Sequence, residues 1–213
     1  MFITLEGIEG CGKTTQLKHI EAFFNRRGLE TVVTREPGGT TVGEKIRAVL
    51  LNPDIEKMAS LTELFLYEAD RSEHVEKIIR PALAAGKIVL CDRFYDATVV
   101  YQGYGRGLDL EMIRRLHRMI LGDLKPDLTI LFDLAPEIGL DRAWNQVSNG
   151  DRSGKEMRFE TEKIAFHRKI RDGYLTVARL EPQRFAIVDA GADENTVRDA
   201  VIALLEKCID RRR

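Results

Sequence analysis

An α/β fold is predicted for this chain, with a mostly parallel sheet covered by helices on both faces. Two observations carry the prediction. Short apolar runs rich in β-branched residues recur along the sequence, and longer stretches between them place apolar residues at three- and four-residue spacing. The first pattern belongs to strands buried on both faces and the second to amphipathic helices. Their alternation gives a three-layer α/β/α arrangement. With 213 residues, 44% hydrophobic and 31% charged, the chain has material for a sizeable core and length for one domain or two small ones.

Taken in order, strands are predicted at 2–6 (FITLE), 31–34 (TVVT), 88–91 (IVLC), 128–133 (LTILFD) and 185–188 (FAIV), five in all with the first central. A helix over 13–26 carries the stripe Leu17, Ile20, Phe23 and Phe24. A long helical stretch over about 60–80 carries Leu61, Leu64 and Phe65, then Val75, Ile78 and Ile79. Two further stripes are Ile113, Leu116 and Ile120, and Val197, Val201, Leu204 and Leu205. All of these read as core, Phe65 included. The segment 145–158 (NQVSNGDRSGKEMR) is polar and contains Gly150 and Gly154, so it reads as a mobile surface loop inside a single domain spanning 1–213.

Charge and cysteine usage narrow the function. Lys and Arg total 33 against 34 Asp and Glu, a net charge of -1, which argues against coating nucleic acid or an anionic membrane. A local basic pocket remains open. Cys11, Cys91 and Cys208 form no C-x-x-C pair, so reduced thiols in a cytoplasmic protein are the simplest reading. His19, His74, His117 and His167 lack metal-ligand spacing and read as surface or packing residues. No apolar run approaches the ~18 residues of a membrane span.

The chemistry starts at Gly7 to Thr14, G-I-E-G-C-G-K-T, which fits G-x-x-x-x-G-K-[ST]. It follows a predicted strand and opens a predicted helix, as a phosphate-binding loop requires. Gly7, Gly10 and Gly12 let the backbone N–H groups turn inward around a phosphate, Lys13 reaches the β- and γ-phosphates, and the Thr14 hydroxyl joins the shell of a Mg²⁺. Cys11 reads as a small filler of a tight loop. Such a loop implies a nucleoside triphosphate and leaves switch GTPase, motor-type ATPase and nucleotide kinase open. No N-K-x-D guanine motif is present to favour the GTPase.

A second cluster lies on the acceptor side. Arg35-Glu36-Pro37-Gly38-Gly39-Thr40 ends the second strand, which places Arg35 at the carboxyl edge of the sheet, where ligands bind in open α/β folds. Asp92 and Arg93 end the third strand at the same edge. There an arginine can hold phosphoryl oxygens by bidentate hydrogen bonds and an aspartate can hold Mg²⁺ or its water.

With the loop, these segments resemble thymidylate kinase of the bacterial type, a P-loop nucleoside monophosphate kinase family. The resemblance runs from Phe2 to about Ile209 and is most specific at TREPGGT (34–40) and YQGYGRG (101–107). It also covers LEGIEGCGKTTQ, FLYEADRSEHV, CDRF, PDLTILFDLAPEIGLDR and RFE. It implies a P-loop NTPase fold with a mobile lid at about 145–158, Mg²⁺ with ATP as co-substrate, dTMP as acceptor, and a homodimer. By position, Gly7, Ile8, Glu9, Gly10, Cys11, Gly12, Lys13, Thr14 and Thr15 would hold the ATP phosphates, with Arg142 and Arg158 assisting. Glu9, Arg35, Pro37, Tyr67, Arg71, Arg93, Thr98, Tyr101 and Gln102 would hold dTMP. Arg35 and Arg93 clamp its phosphate in this reading, while Arg71 and Thr98 meet the thymine edge. Tyr101 closes the space a ribose 2′-OH would fill, and Gln102 adds to that wall. Thr14, Asp92 and Glu9 would stand nearest the metal.

Two departures from the family pattern are Tyr67, where the family usually has a phenylalanine stacked on thymine, and Ala97, where many relatives have serine. Tyr67 keeps the aromatic face. The loop G-I-E-G-C-G-K-T has no arginine of its own, so a lid arginine is expected to serve the transition state, Arg152 first and Arg158 next. Lys13, Glu9, Arg93 and Arg152 are thus the expected catalytic set. The alternatives are a deoxynucleoside kinase, against which TREPGGT speaks, and a nucleotide-binding switch ATPase.

Overall fold

In the computed structural model, which describes residues 1–55, 57–150 and 156–210, five parallel strands form one sheet in the order β2-β3-β1-β4-β5. They are β1 (Phe2–Glu6), β2 (Thr31–Arg35), β3 (Ile88–Asp92), β4 (Leu128–Asp133) and β5 (Phe185–Asp189). β1 is central, paired with β3 on one side and β4 on the other, and all five of its residues are buried. That is why FITLE shows no alternation: both faces lie under helices. Its one hydroxyl is satisfied in the core by a 2.8 Å bond between Thr4 and Thr129.

The helices are α1 (Lys13–Asn25), α2 (Thr41–Leu50), α3 (Ser60–His74), α4 (Arg80–Ala84), α5 (Tyr95–Thr98), α6 (Leu110–Leu121), α7 (Pro136–Ser148), α8 (Ile164–Leu180) and α9 (Glu194–Asp210). Local signals set their ends. Thr40 accepts from the Gly43 N–H at 2.9 Å at the start of α2, Asp109 caps α6 through Glu111, and Pro136 opens α7. Two stretches wind more loosely as π-helix, Val75–Ile79 between α3 and α4, and Val99–Gly105 directly after α5.

Two core expectations are corrected. Phe65 is 55% exposed on α3, because that helix buries the side of Leu64, Glu68 and Arg71 and turns Phe65 and Leu61 outward. The segment expected to be loop over 145–158 also starts as the last turn of α7, and at its far end Met157 and Arg158 are buried. Met157 is the apolar anchor that the polar composition of the segment concealed.

Candidate active site

All the parallel strands end on one edge, so β1, β2 and β3 deliver their following residues to a common crevice of about 510 Å³. Its floor is the loop between β1 and α1. Gly7 and Gly10 take φ of 142° and 67°, and a Cβ on Gly10 would come within 2.0 Å of the Gly139 carbonyl oxygen of α7. The loop therefore tolerates no side chain there. Lys13 is buried with its Nζ donating to the carbonyls of Gly7 (3.2 Å) and Ile8 (3.0 Å), which holds the ammonium across the loop's mouth. Ile8 is buried in the core, and Cys11, also buried, lines the crevice beside Thr14 and Thr15, its Sγ accepting from Lys13 Nζ at 3.4 Å.

Opposite the loop stand the groups following β2 and β3. Arg35 and Pro37 line the crevice, and the Glu36–Pro37 peptide is cis. Arg93 sits at φ 66°, a left-handed conformation rare for a residue with a side chain. Its Nη2 donates to Glu9 Oε1 at 3.0 Å, and its guanidinium lies 5.0 Å from the centre of the Tyr101 ring. Tyr101 donates its hydroxyl to the same Glu9 oxygen. Burial works against a charge on Glu9, but His167, Arg93 and Tyr101 more than offset it and hold its carboxyl well below the usual carboxylate range.

The inner end is a buried ion network. Arg71 is 1% exposed and donates to Glu36 Oε2 (2.9 Å), Glu68 Oε1 (2.7 Å) and Thr98 Oγ1 (2.9 Å). Glu36 also meets His74 Nδ1 at 2.9 Å, and Glu68 meets His117 Nε2 at 3.0 Å. Tyr67 is half-buried on the crevice wall, its phenol pushed up first by burial and then by Glu63. Gln102 reaches the wall from the π-helical stretch and donates to Glu63 Oε1 at 2.7 Å.

Asp70 lies just behind Arg71 and accepts from the Gly38 N–H at 3.0 Å. Burial, then Glu36, pushes its carboxyl up to about 6. The native state therefore keeps a proton that an unfolded aspartate, at about 3.9, releases, so stability falls as pH rises between those values. Asp70→Asn, which keeps the acceptor for Gly38, is expected to be more stable than the parent in urea unfolding at pH 7. The difference should close towards pH 4, and an unchanged gap would contradict the assignment.

Not every expected site residue lines the crevice. Arg158 is buried, with Nε on the Leu50 carbonyl and Nη2 on Glu63 Oε2 at 2.7 Å. Arg142 donates to the Ala190 carbonyl at 3.0 Å, beyond the end of β5. Arg152 lies outside the described residues. The crevice also contains groups that no motif announced. Arg47 of α2 makes a bidentate pair with Glu156 (3.0 and 2.8 Å) and bonds the Pro37 carbonyl, while Glu160 of the RFE segment also lines the crevice. The π-helical stretch that brings Tyr101 and Gln102 inward likewise had no periodic signal.

For a divalent cation, the donors suit Mg²⁺. The buried Asp92 Oδ1 has no hydrogen-bond partner, and Thr14 lines the same crevice. Among the described residues no three His, Cys, Asp or Glu side chains converge as an all-protein metal cage. Mg²⁺ is the cation that keeps waters and phosphate ligands and needs only one or two protein oxygens.

A family model for thymidylate kinase matches residues 5–201, spanning every group just described. The chain belongs to the thymidylate kinase family. Enzymes of this family carry out ATP-dependent phosphoryl transfer to dTMP, and the chain is a P-loop kinase of the bacterial type. It is 55% identical over 210 residues to a thymidylate kinase of Desulfosudis oleivorans, covering 99% of this chain and 98% of that one. A thymidylate kinase of Geotalea uraniireducens is 50% identical over 202 residues, 95% and 94% of the two chains. The crystal structure of a thymidylate kinase from Ehrlichia chaffeensis superposes with a TM-score of 0.74 at 33% identity, covering 96% of this chain and 98% of that one. The thymidylate kinase fold thus accounts for the five-stranded sheet and its flanking helices.

Proposed function

We propose that the crevice aligns ATP and dTMP for in-line transfer of the γ-phosphoryl group to an oxygen of the dTMP 5′-phosphate, giving ADP and dTDP. The observation that carries this reading is the convergence of Lys13, Arg35 and Arg93 on one crevice from three different elements. Several phosphate charges meet there, and phosphoryl transfer needs alignment and charge neutralisation more than covalent help. Lys13 and the loop amides of Gly7 to Thr15 hold the β- and γ-phosphates. Mg²⁺, held by Thr14, Asp92 and water, supplies charge neutralisation at the phosphate oxygens when bound. Arg35 and Arg93 orient the acceptor phosphate, and Glu9 keeps Arg93 and Tyr101 in register beside it.

Arg71 and Thr98 read the thymine edge, Tyr67 stacks on its face, and Pro37 and Gln102 complete the wall. The segment at about 145–158 of this single domain acts as the lid, with Arg152 serving ATP, while Arg158 anchors its far end on Glu63 and Arg142 is held on the Ala190 carbonyl. The working form is a homodimer in the cytoplasm. The exposed Leu61 and Phe65, one turn apart on α3, support a covered face there. Among the described residues no helix is long and apolar enough to cross a membrane.

A coupled ADP-release assay across dTMP, dUMP, dCMP and thymidine tests the assignment. dTMP should lead and dUMP should follow, since a methyl contact is worth only about 1 to 3 kcal/mol. dCMP should be rejected strongly, because its reversed hydrogen-bonding edge leaves buried polar groups unpaired. Thymidine outrunning dTMP would favour a deoxynucleoside kinase, and ATP turnover with no acceptor would favour a switch ATPase.

A further inference from the structure

Arg93 is held by more than its contact with Glu9. Its backbone sits in the left-handed region at φ 66°, pinned by the Arg93 N–H donating to the Leu5 carbonyl at 3.0 Å and by the Cys91 thiol donating to the Arg93 carbonyl at 2.9 Å. The next N–H, of Phe94, donates to Glu6 Oε1 at 2.7 Å. Glu6 is the last residue of β1 and is 0% exposed. Its other oxygen, Oε2, accepts from the Tyr174 hydroxyl at 2.7 Å, and that hydroxyl accepts from Arg93 Nη1 at 3.0 Å.

A phenol has a single proton to donate. With Glu6 ionised and taking that proton, the Tyr174 oxygen presents only lone pairs to Arg93, and the relay runs from guanidinium to phenol to carboxylate. One buried carboxylate therefore restrains both ends of Arg93, the strained turn that aims it and the fork that faces the crevice. Tyr174 itself is 1% exposed on α8 and packs its ring edge against Tyr101, so the phenol has little freedom to reorient. Neither Glu6 nor Tyr174 lines the crevice. Burial and then the charge of nearby Asp96 push the Glu6 carboxyl up to about 8, with Arg93, the Tyr174 hydroxyl and the Phe94 N–H working to lower it, while Asp96 itself pairs with Arg184 at 2.7 Å.

We propose that Glu6 and Tyr174 are positioning residues that set the Arg93 guanidinium for the acceptor phosphate. The inference rests on the reading that Arg93 holds the phosphate of dTMP. A purely structural role would make Glu6 and Tyr174 matter for folding alone. A positioning role makes them matter for the acceptor through Arg93, and the two differ in whether the effect survives when Arg93 is gone.

The test is a double-mutant cycle read by calorimetric titration of dTMP, without turnover, on the parent, Tyr174→Phe, Arg93→Ala and the double variant. Tyr174→Phe is expected to weaken dTMP binding about tenfold, the effect of losing a hydrogen bond that orients a charged donor, and to leave ATP binding in the same calorimeter unchanged. In the Arg93→Ala background, Tyr174→Phe should change nothing further. Glu6→Gln, nearly isosteric, should show the same loss and the same dependence on Arg93, and it serves if Tyr174→Phe folds poorly. An equal loss in both backgrounds, or no loss in a folded variant, overturns the proposal. A parent protein that fails to bind dTMP overturns the acceptor reading and the inference with it.

Discussion

Replacing Arg93 with alanine should lower kcat/KM for dTMP by roughly 10³-fold, the scale on which arginines that meet a transferring phosphoryl group act. The side chain lines the crevice between Glu9 and Tyr174, so its removal takes away both a phosphate clamp and the counter-charge of a buried carboxylate. Glu9 retains Tyr101 and His167 as neighbours, the latter at 3.4 Å, and the fold should survive with a lowered Tm. Arg93→Lys should recover little. A lysine is a point charge without the fork that spans Tyr174 and Glu9 while still offering N–H groups to a ligand. Steady-state kinetics with both substrates varied, beside thermal unfolding, checks the point. A folded Arg93→Ala enzyme within tenfold of the parent would remove Arg93 from the mechanism.

Arg71→Ala should be the most destabilising single change at the crevice, by about 3 to 5 kcal/mol, because it leaves a buried ion network without its cation. Both carboxylates it serves are nearly sealed from water, Glu36 at 2% and Glu68 at 5% side-chain exposure. Burial alone would push the Glu68 carboxyl up, and Arg71 with His117 more than offsets that and keeps it low. Losing the guanidinium also frees Thr98, so discrimination against dCMP should fall along with stability. Urea unfolding reads the first effect and the dTMP-to-dCMP ratio of kcat/KM reads the second. Loss of selectivity without loss of stability would mean that the network is held by its histidines. Loss of stability with selectivity intact would remove Arg71 from base recognition.

Much of this molecule is legible in one dimension because two of its constraints are local. A central strand buried on both faces reads as a near-continuous apolar run without polar alternation, and the strand runs at 2–6 and 128–133 appear in the fold with unchanged bounds. A loop that wraps a phosphate must place glycine where the backbone turns left-handed, and Gly7 and Gly10 do so against Phe132 and Gly139. Helices α2, α7 and α8 were less visible. Their apolar positions are interrupted by polar ones, and Gly173 in α8 marks a close approach, a Cβ there coming within 3.1 Å of Val100. Phe65 followed the right period but faced the wrong way, since period fixes a stripe and not which side of it meets the core.

Spacing along the chain alone carries the five strands, the phosphate loop and the residue types gathered at the sheet's carboxyl edge. Only the tertiary structure decided what those residues rest on. Glu6 and Tyr174 are 168 residues apart and Glu9 and Arg93 are 84 apart, and neither pair shares a motif. Arg158 reads as a lid residue by position, yet the fold buries it against Glu63, 95 residues away. A buried charge must find its partner wherever the packed chain brings one within reach, and that distance is set in space and not along the sequence.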